Sequence, residues 1–444
     1  MNFLYLSTLF WDEAGGAHNP TQISRALARR GHRVLFVEPQ PSAARETKNL
    51  PIEIVALTEL GMTPAQLRRA WYGLDSGELG TVAQNLIACA NRSATAAPRV
   101  AIFSAPFEPF VRLFPILRAN RYSIVYYAMD DFAAAPALGY TQFLPAAQEY
   151  LTRNADGLVG VTPHIAQSLE RFGKRAHVIP NGIDLKEFAP SKSLRSVPLR
   201  RGKVTLGYWG TLMDSMFDAD LVAHVAATHP RWMIHLLGAY DPEPHRPSVA
   251  ARLESFSNII FHGAVPHADL PRYAAAFDVC LAPFPDNDFT RGRDPIKIYE
   301  YLAAHKPVAA SYTPQLASLP YVHVAYSPEE FVQAIEEAAC DRVDTRALDN
   351  FLAPQSWDAR AGALLTVLSE LPAPSATAES VLLPSWGAAD TGNWARYVNG
   401  LERELEEIQG WAQELEAQLL AQERTLQRIV NFPVTRLWRR VRSK

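Results

Sequence analysis

The chain has 444 residues, with 43 lysines and arginines against 46 aspartates and glutamates, a formal net charge of −3. That length holds about three domains, and so balanced a charge excludes a dedicated nucleic-acid binder, which carries a large basic excess. An apolar fraction of 48% supports a sizeable core, and three scattered cysteines, Cys89, Cys280 and Cys340, fit a reducing cytoplasm better than a disulfide framework.

MNFLYLSTLFWDE lacks the basic stretch of a signal peptide and reads as a first strand, Asn2–Leu9. A loop with Gly15-Gly16 follows, then TQISRALARR, where Ile23, Ala26 and Leu27 form a helical stripe that Gly31 ends. RVLFVEP is the next strand, so strand, helix and strand make the βαβ unit of a parallel sheet. The pattern recurs at Arg99–Ala105, Ser123–Met129 and Gly157–Val161, while Thr63–Ala97 reads as helical.

A second series starts after the NGID turn at Asn181–Asp184, with strands expected at Val204–Gly210, Met233–Gly238, Ile259–Gly263, Val279–Phe284 and Pro307–Ser311. The fold class is therefore α/β, two Rossmann-like domains facing a shared cleft, over residues 1–185 and 186–371. The joint Pro190–Thr205 carries Lys192, Arg195, Arg200, Arg201 and Lys203 without an acidic residue, as a solvated basic loop or a phosphate-facing one.

Past Leu371 the composition turns rich in Pro, Ala, Ser and Thr, a linker over 372–392. A helix is expected over 393–431, where positions 398, 401, 405, 408, 412, 415, 419, 422, 426 and 429 are apolar except Gln422. This 3,4 spacing predicts a C-terminal coiled coil, pairing with a second copy or with another protein's helix. The basic end, 432–444, carries Trp438 and suits peripheral contact with an anionic membrane. No apolar run approaches the roughly 20 residues of a membrane helix.

RDPIKIYEYLAAHKPVAAS, Arg293–Ser311, holds the most chemistry. Asp294 as N-cap and Pro295 at N1 predict a helix start. Lys297, Glu300, Tyr301 and Ala304 then share a face. A helix N-terminus favours anions, Lys297 adds a cation, and Glu300 suits two vicinal hydroxyls such as a ribose presents. The plainer alternative is a surface ion pair between Lys297 and Glu300.

This segment resembles the donor-site helix of the GT-B glycosyltransferases, specifically the retaining family 4 (group 1). EAGGAHNPTQISRALARRGHRVLFVEP, GLVGVTPHIAQSLERFGKRAHVIPNGIDLKEF, GYWGTL, SNIIFHGAVPHADLPRYAAAFDVCLAPF and Ser356-Trp357 resemble the family's other segments in the expected order. The resemblance covers residues 1–371. It implies that Glu300 holds the nucleotide ribose, that Gly15 and Gly16 approach the donor phosphates, that Gly210 and Thr211 lie by the diphosphate, and that Val265 meets the nucleobase. Gly15-Gly16 also reads simply as a tight turn.

The pattern departs from the family at position 292, where a glycine replaces the first of two glutamates eight positions apart. Arg291, Arg293 or Asp294 is the candidate substitute. Leu212–Asp218 lacks the usual Arg and Lys, and Lys297 is the candidate cation instead. His305 stands where relatives have glycine. Near the reacting carbon, relatives carry a histidine; Asp130 and Asp131, at the end of a strand, are the counterpart here, with His18 and Glu108 as further candidates and helix capping as the plainer role of the aspartates. The two-domain pattern implies no metal, because helix dipole and cations can hold the leaving diphosphate.

The expected function is a retaining glycosyltransferase that moves a sugar from a nucleotide-diphosphate sugar to a glycan or lipid-linked acceptor in bacterial surface polysaccharide assembly. The alternatives are a sugar-nucleotide epimerase of the same fold and a non-catalytic nucleotide-sugar-binding scaffold.

Overall fold

The computed structural model describes residues 1–372 apart from 64–65, 68–78, 136–144, 191–193 and 240–248. The linker, coiled coil and basic tail expected from sequence lie outside the described residues, except for the first residue of the linker, as do Lys192 and part of the Thr63–Ala97 stretch.

Thirteen strands are described. β1 (Asn2–Leu6), β2 (Arg33–Glu38), β3 (Ile52–Ala56), β4 (Arg99–Phe103), β5 (Tyr122–Ala128), β6 (Gly157–Gly160) and β7 (Ala176–Val178) build a sheet in the order 3-2-1-4-5-6-7. β8 (Thr205–Trp209), β9 (Met233–Leu237), β10 (Ile259–Gly263), β11 (Val279–Ala282), β12 (Val308–Ser311) and β13 (Val322–Ala325) build a second, in the order 10-9-8-11-12-13. Every pairing is parallel. The strand order reverses at β1/β4 and at β8/β11, and in such sheets ligands gather at the strand C-termini beside the reversal.

All ten strands expected from sequence are present. The three additional ones, β3, β7 and β13, are each at a sheet edge, where half-burial leaves no continuous apolar run to read. The central strands are buried along most of their length, and β1, β8, β9 and β11 completely, as a parallel sheet covered on both faces requires.

Four helices carry or brace the residues of the cleft: α1 (Asn19–Arg29), α2 (Asp288–Gly292), α3 (Ile296–Ala303) and α4 (Trp357–Glu370). Gly31, with φ +83°, ends the turn after α1 as expected, and His305 does take the left-handed conformation, φ +56°, with its ring on Asp349 at 2.8 Å. α4 follows the second sheet in sequence but packs on the first domain: the Arg29 side chain donates to the Asp358 carboxylate at 3.2 Å and Arg30 to the Asp358 carbonyl at 2.8 Å. The chain thus crosses between domains twice, and the crossings touch through a bridge between Ile183 and Ser356.

None of the described basic residues of the joint, Arg195, Arg200, Arg201 and Lys203, lines the cleft between the domains. Arg201 pairs with Asp278 at 2.8 Å, the Arg200 carbonyl accepts from His235 at 2.9 Å, and the Lys203 amide binds the Arg231 carbonyl. Arg231 and Asp278 precede β9 and β11, and His235 lies midway along β9, away from the strand C-termini.

Gly207, inside β8, has no room for a side chain, because a Cβ there would overlap the Phe277 ring. Overpacking of a filled core costs about 1–3 kcal/mol or more. Gly207→Ala is therefore expected to lower stability by at least about 2 kcal/mol in urea unfolding; a variant with wild-type stability would show that Phe277 moves aside freely.

Candidate functional site

A cavity of about 820 Å³ opens where the C-terminal ends of both sheets meet. Gly15 and His18 enter it after β1, Asp130 after β5, Gly210 and Thr211 after β8, Val265 and His267 after β10, and Arg293, Lys297 and Glu300 after β11.

The second wall is organised by α3. Pro295 is its N-cap residue rather than N1, and Asp294 does not cap it. The Asp294 carboxylate instead accepts from the Asn181 amide at 2.6 Å and the Tyr299 hydroxyl at 2.9 Å, and burial raises its pKa to about 6. Asn181 extends this network in both directions. Its side-chain amide donates to the Asp294 carbonyl at 2.6 Å and its side-chain oxygen accepts from Asn19 of α1 at 2.8 Å.

Lys297 and Glu300 are not a surface ion pair. The Lys297 ammonium donates to the Tyr208 hydroxyl at 3.0 Å and lies 4.4 Å from the centre of that ring. Burial, with the nearby Arg293 charge, lowers its pKa to about 7. Glu300 is buried, accepting the Trp209 indole N–H at 2.8 Å on one oxygen and facing His267 Nε2 at 2.7 Å on the other.

His267 is the main residue that the sequence reading missed. Burial alone would lower its pKa, but hydrogen bonds and charge from Glu187 and Glu300 raise it to about 9, so it carries a proton at neutral pH. It also explains Gly15, whose φ is +68°: a Cβ there would lie 2.8 Å from the Cβ of His267, so the two domains meet closely at this point. The HADL sequence after β10 offers no periodic signal by which to single it out.

The remaining predicted residues divide. Gly210, φ +139°, leaves the space that Lys297 fills, and Thr211 and Val265 line the cavity. Gly16 does not line it; its carbonyl accepts from Gln22 at 2.8 Å, toward α1. His18 caps the start of α1 by position, and its Nε2 donates to the Phe10 carbonyl at 2.6 Å. Burial lowers its pKa to about 4, so it is neutral, and its buried Nδ1 has no hydrogen-bond partner. Asp130 lies 3.5 Å from Arg293, an ion pair across the cleft, and burial raises its pKa. Asp131 is turned away: it caps the Ala133 amide at 3.1 Å and faces His164 at 3.2 Å. Glu108 is buried in a pair with Arg112, outside the cavity lining. Arg291 pairs with Asp286 and Asp288 and is also outside it.

The family described as Glycosyltransferase Family 4 matches residues 15–187, and that described as Glycosyl transferases group 1 matches residues 205–341. A Bacillus subtilis (strain 168) protein named as a glycosyltransferase of teichuronic acid biosynthesis is 23% identical over 248 residues, 52% of this chain and 61% of that protein. The match thus spans less than two thirds of that relative's length. Among solved structures, sucrose-phosphate synthase from Thermosynechococcus elongatus superposes with a TM-score of 0.61 at 16% identity, over 83% of this chain and 98% of that one. Anabaena HepE, in complex with UDP-glucose, gives 0.59 at 15% identity, over 84% and 100%. These two share the fold.

Glu300→Gln removes one of the two carboxylates beside His267. The imidazole is then expected to titrate below 9, because an adjacent carboxylate raises a histidine pKa. Histidine NMR across pH 6–10 reads this directly; an unchanged titration would assign the effect to Glu187 alone.

Proposed function

We propose that the chain, whose two halves match family 4 and group 1 glycosyltransferase models, is a group 1 glycosyltransferase of the GT-B fold that moves a sugar from a nucleoside-diphosphate sugar to an acceptor hydroxyl with retention at the anomeric carbon. The observation that carries this reading is the line of groups along and just before α3. Glu300, Lys297 and Arg293 follow one another along one wall of the cavity, as a ribose, a diphosphate and a sugar do along a donor.

Glu300 takes the ribose hydroxyls. Its oxygens are already aimed by Trp209 and His267, so little ordering is left for binding to supply. Gly210 and Thr211 present backbone to the diphosphate, where a side chain at 210 would collide with Lys297. Lys297 and Arg293 supply positive charge as the C–O bond to phosphate breaks, the kind of fixed stabilisation that lowers a barrier most. In the same step the acceptor oxygen bonds to the anomeric carbon on the face that the phosphate leaves. The acceptor proton passes to the departing phosphate oxygen. Neutral His18, which lines the cavity after β1, orients the acceptor hydroxyl from the first domain. Lys297 and Arg293 do here what a metal ion would otherwise do, so no metal is assigned. The name of the Bacillus relative supports polysaccharide assembly as the setting, with a glycan or lipid-linked acceptor, and the HepE complex supports a nucleotide sugar as donor.

Glu300→Ala removes charge-assisted hydrogen bonds of about 1.5–3 kcal/mol, roughly 10- to 150-fold in affinity for UDP-glucose by calorimetry. Unchanged binding by a folded variant would sink the ribose assignment. The Lys297 pKa of about 7 sets a pH dependence. A bound diphosphate raises that pKa, so affinity is expected to fall as pH rises above 7, with proton uptake on binding in buffers of different ionisation heat. A pH-independent affinity between 6.5 and 8.5 would remove Lys297 from the diphosphate site.

A further inference from the structure

We propose that Asp130, supplied by the first domain, reads the sugar of the donor, and that it selects a neutral, hydroxyl-bearing sugar over a uronic acid. The inference rests on the donor-site reading and adds the class of sugar.

The order of groups along the wall places the sugar. Glu300 and Lys297 are three residues apart on α3, roughly 5 Å along its axis, and Arg293 lies just ahead of its first residue. With ribose at Glu300 and diphosphate at Lys297, the sugar comes to the Arg293 end. There the second domain offers no side chain at position 292. A Cβ on Gly292 would lie 3.1 Å from the Asp131 Cβ and 3.3 Å from the His164 ring, and the Thr162 hydroxyl donates to the Gly292 carbonyl at 3.0 Å. The end of β5 and the residues after β6 are thus clasped onto α2, and this clasp delivers Asp130 into the cavity beside Arg293.

The charges decide the sugar class. Arg293 and Lys297 are the cations that line this end, against the carboxylates of Asp130 and Asp294. A diphosphate engages both cations. Asp294 is committed to the Asn181 amide and the Tyr299 hydroxyl, whereas Asp130 is held only by Arg293, at 3.5 Å, with a third of its side chain exposed, so it is the carboxylate that turns to the sugar once Arg293 engages the diphosphate. A carboxylate accepts two hydroxyls of a neutral sugar well. A uronate would set its own carboxylate against Asp130, and at this end the described residues offer no cation beyond Arg293 and Lys297; such repulsion is an effective way to reject a competitor. Because Asp130 comes from the first domain, the sugar is read only when the two domains are closed on each other, as they are here.

The test is calorimetry on the full chain. UDP, GDP, ADP and dTDP identify the base; for the base that binds, the diphosphate is compared with its neutral hexose and its hexuronate conjugates, UDP-glucose and UDP-glucuronate in the uridine case. The neutral conjugate is expected to bind at least tenfold tighter than the uronate. Asp130→Asn is expected to leave the free diphosphate no weaker, to weaken the neutral conjugate about tenfold, and to narrow the gap to the uronate. Asp131→Asn, whose carboxylate faces His164, is expected to leave that gap unchanged. A uronate bound as tightly as the neutral sugar, or an Asp130→Asn loss equal for diphosphate and conjugate, overturns the proposal while the donor site stands. Absence of binding by every diphosphate overturns the donor-site reading itself.

Discussion

Asn181 is the point through which both domains are set. Its backbone amide and side chain grip Asp294 just ahead of α3, its side-chain oxygen takes the amide of Asn19 at the start of α1, and its carbonyl accepts from Arg360 of α4 at 3.0 Å. Asn19, Asn181 and Asp294 are all buried, where an unmatched polar group is costly and a matched one fixes geometry. The first helix after the glycine loop, the helix carrying Lys297 and Glu300, and the returning C-terminal helix are therefore indexed to one side chain. The positions of groups from opposite walls, His18 against Lys297 or Asp130 against Arg293, follow from that indexing.

Around this node the cavity sorts its titratable groups by environment. His18 is driven neutral by burial, while His267, between two carboxylates, holds its proton. Lys297, sealed against aromatic rings with Arg293 nearby, sits close to its titration midpoint at neutral pH. Three nitrogenous groups in one cleft thus occupy three different states, set by neighbours rather than by residue type. Glycine has a matching part: a Cβ at Gly238 would overlap the Gly210 carbonyl oxygen, so the loops after β8 and β9 lie against each other and leave only backbone in front of Lys297.

The fold was legible because central parallel strands are buried on both faces and leave runs such as FLYLS and IVYYA that few other structures tolerate. Edge strands such as AHV and VHVA share that signal only in part, and β7 and β13 escaped notice. In the site, Lys297 and Glu300 were marked by their spacing on one helix, whereas Gly15, Gly210 and Arg293 were marked only through the resemblance to family 4. Asp294 was misread because Asp-Pro before a helical run is an N-cap signal, and nothing local tells that a distant amide, 113 residues away, takes the carboxylate instead. His267 and Asn181 act through partners far along the chain, a kind of relation that no window of sequence contains.

The double crossing between the domains has a mechanical consequence. A single connector would let the two bodies swivel, tilt and separate independently. Here two segments cross side by side, tied by the Ile183–Ser356 bridge and by the Ile183 amide on the Gln355 carbonyl at 3.1 Å, with Gly182 pressed against Trp357. Two adjacent pivots define an axis and leave one soft rotation about it. Atoms near the axis, Asn181 among them, move least when the bodies part, and atoms at the far rim of the cleft move most. The Gly15–His267 contact and the Asp130–Arg293 pair therefore open or close in a single stroke rather than one at a time.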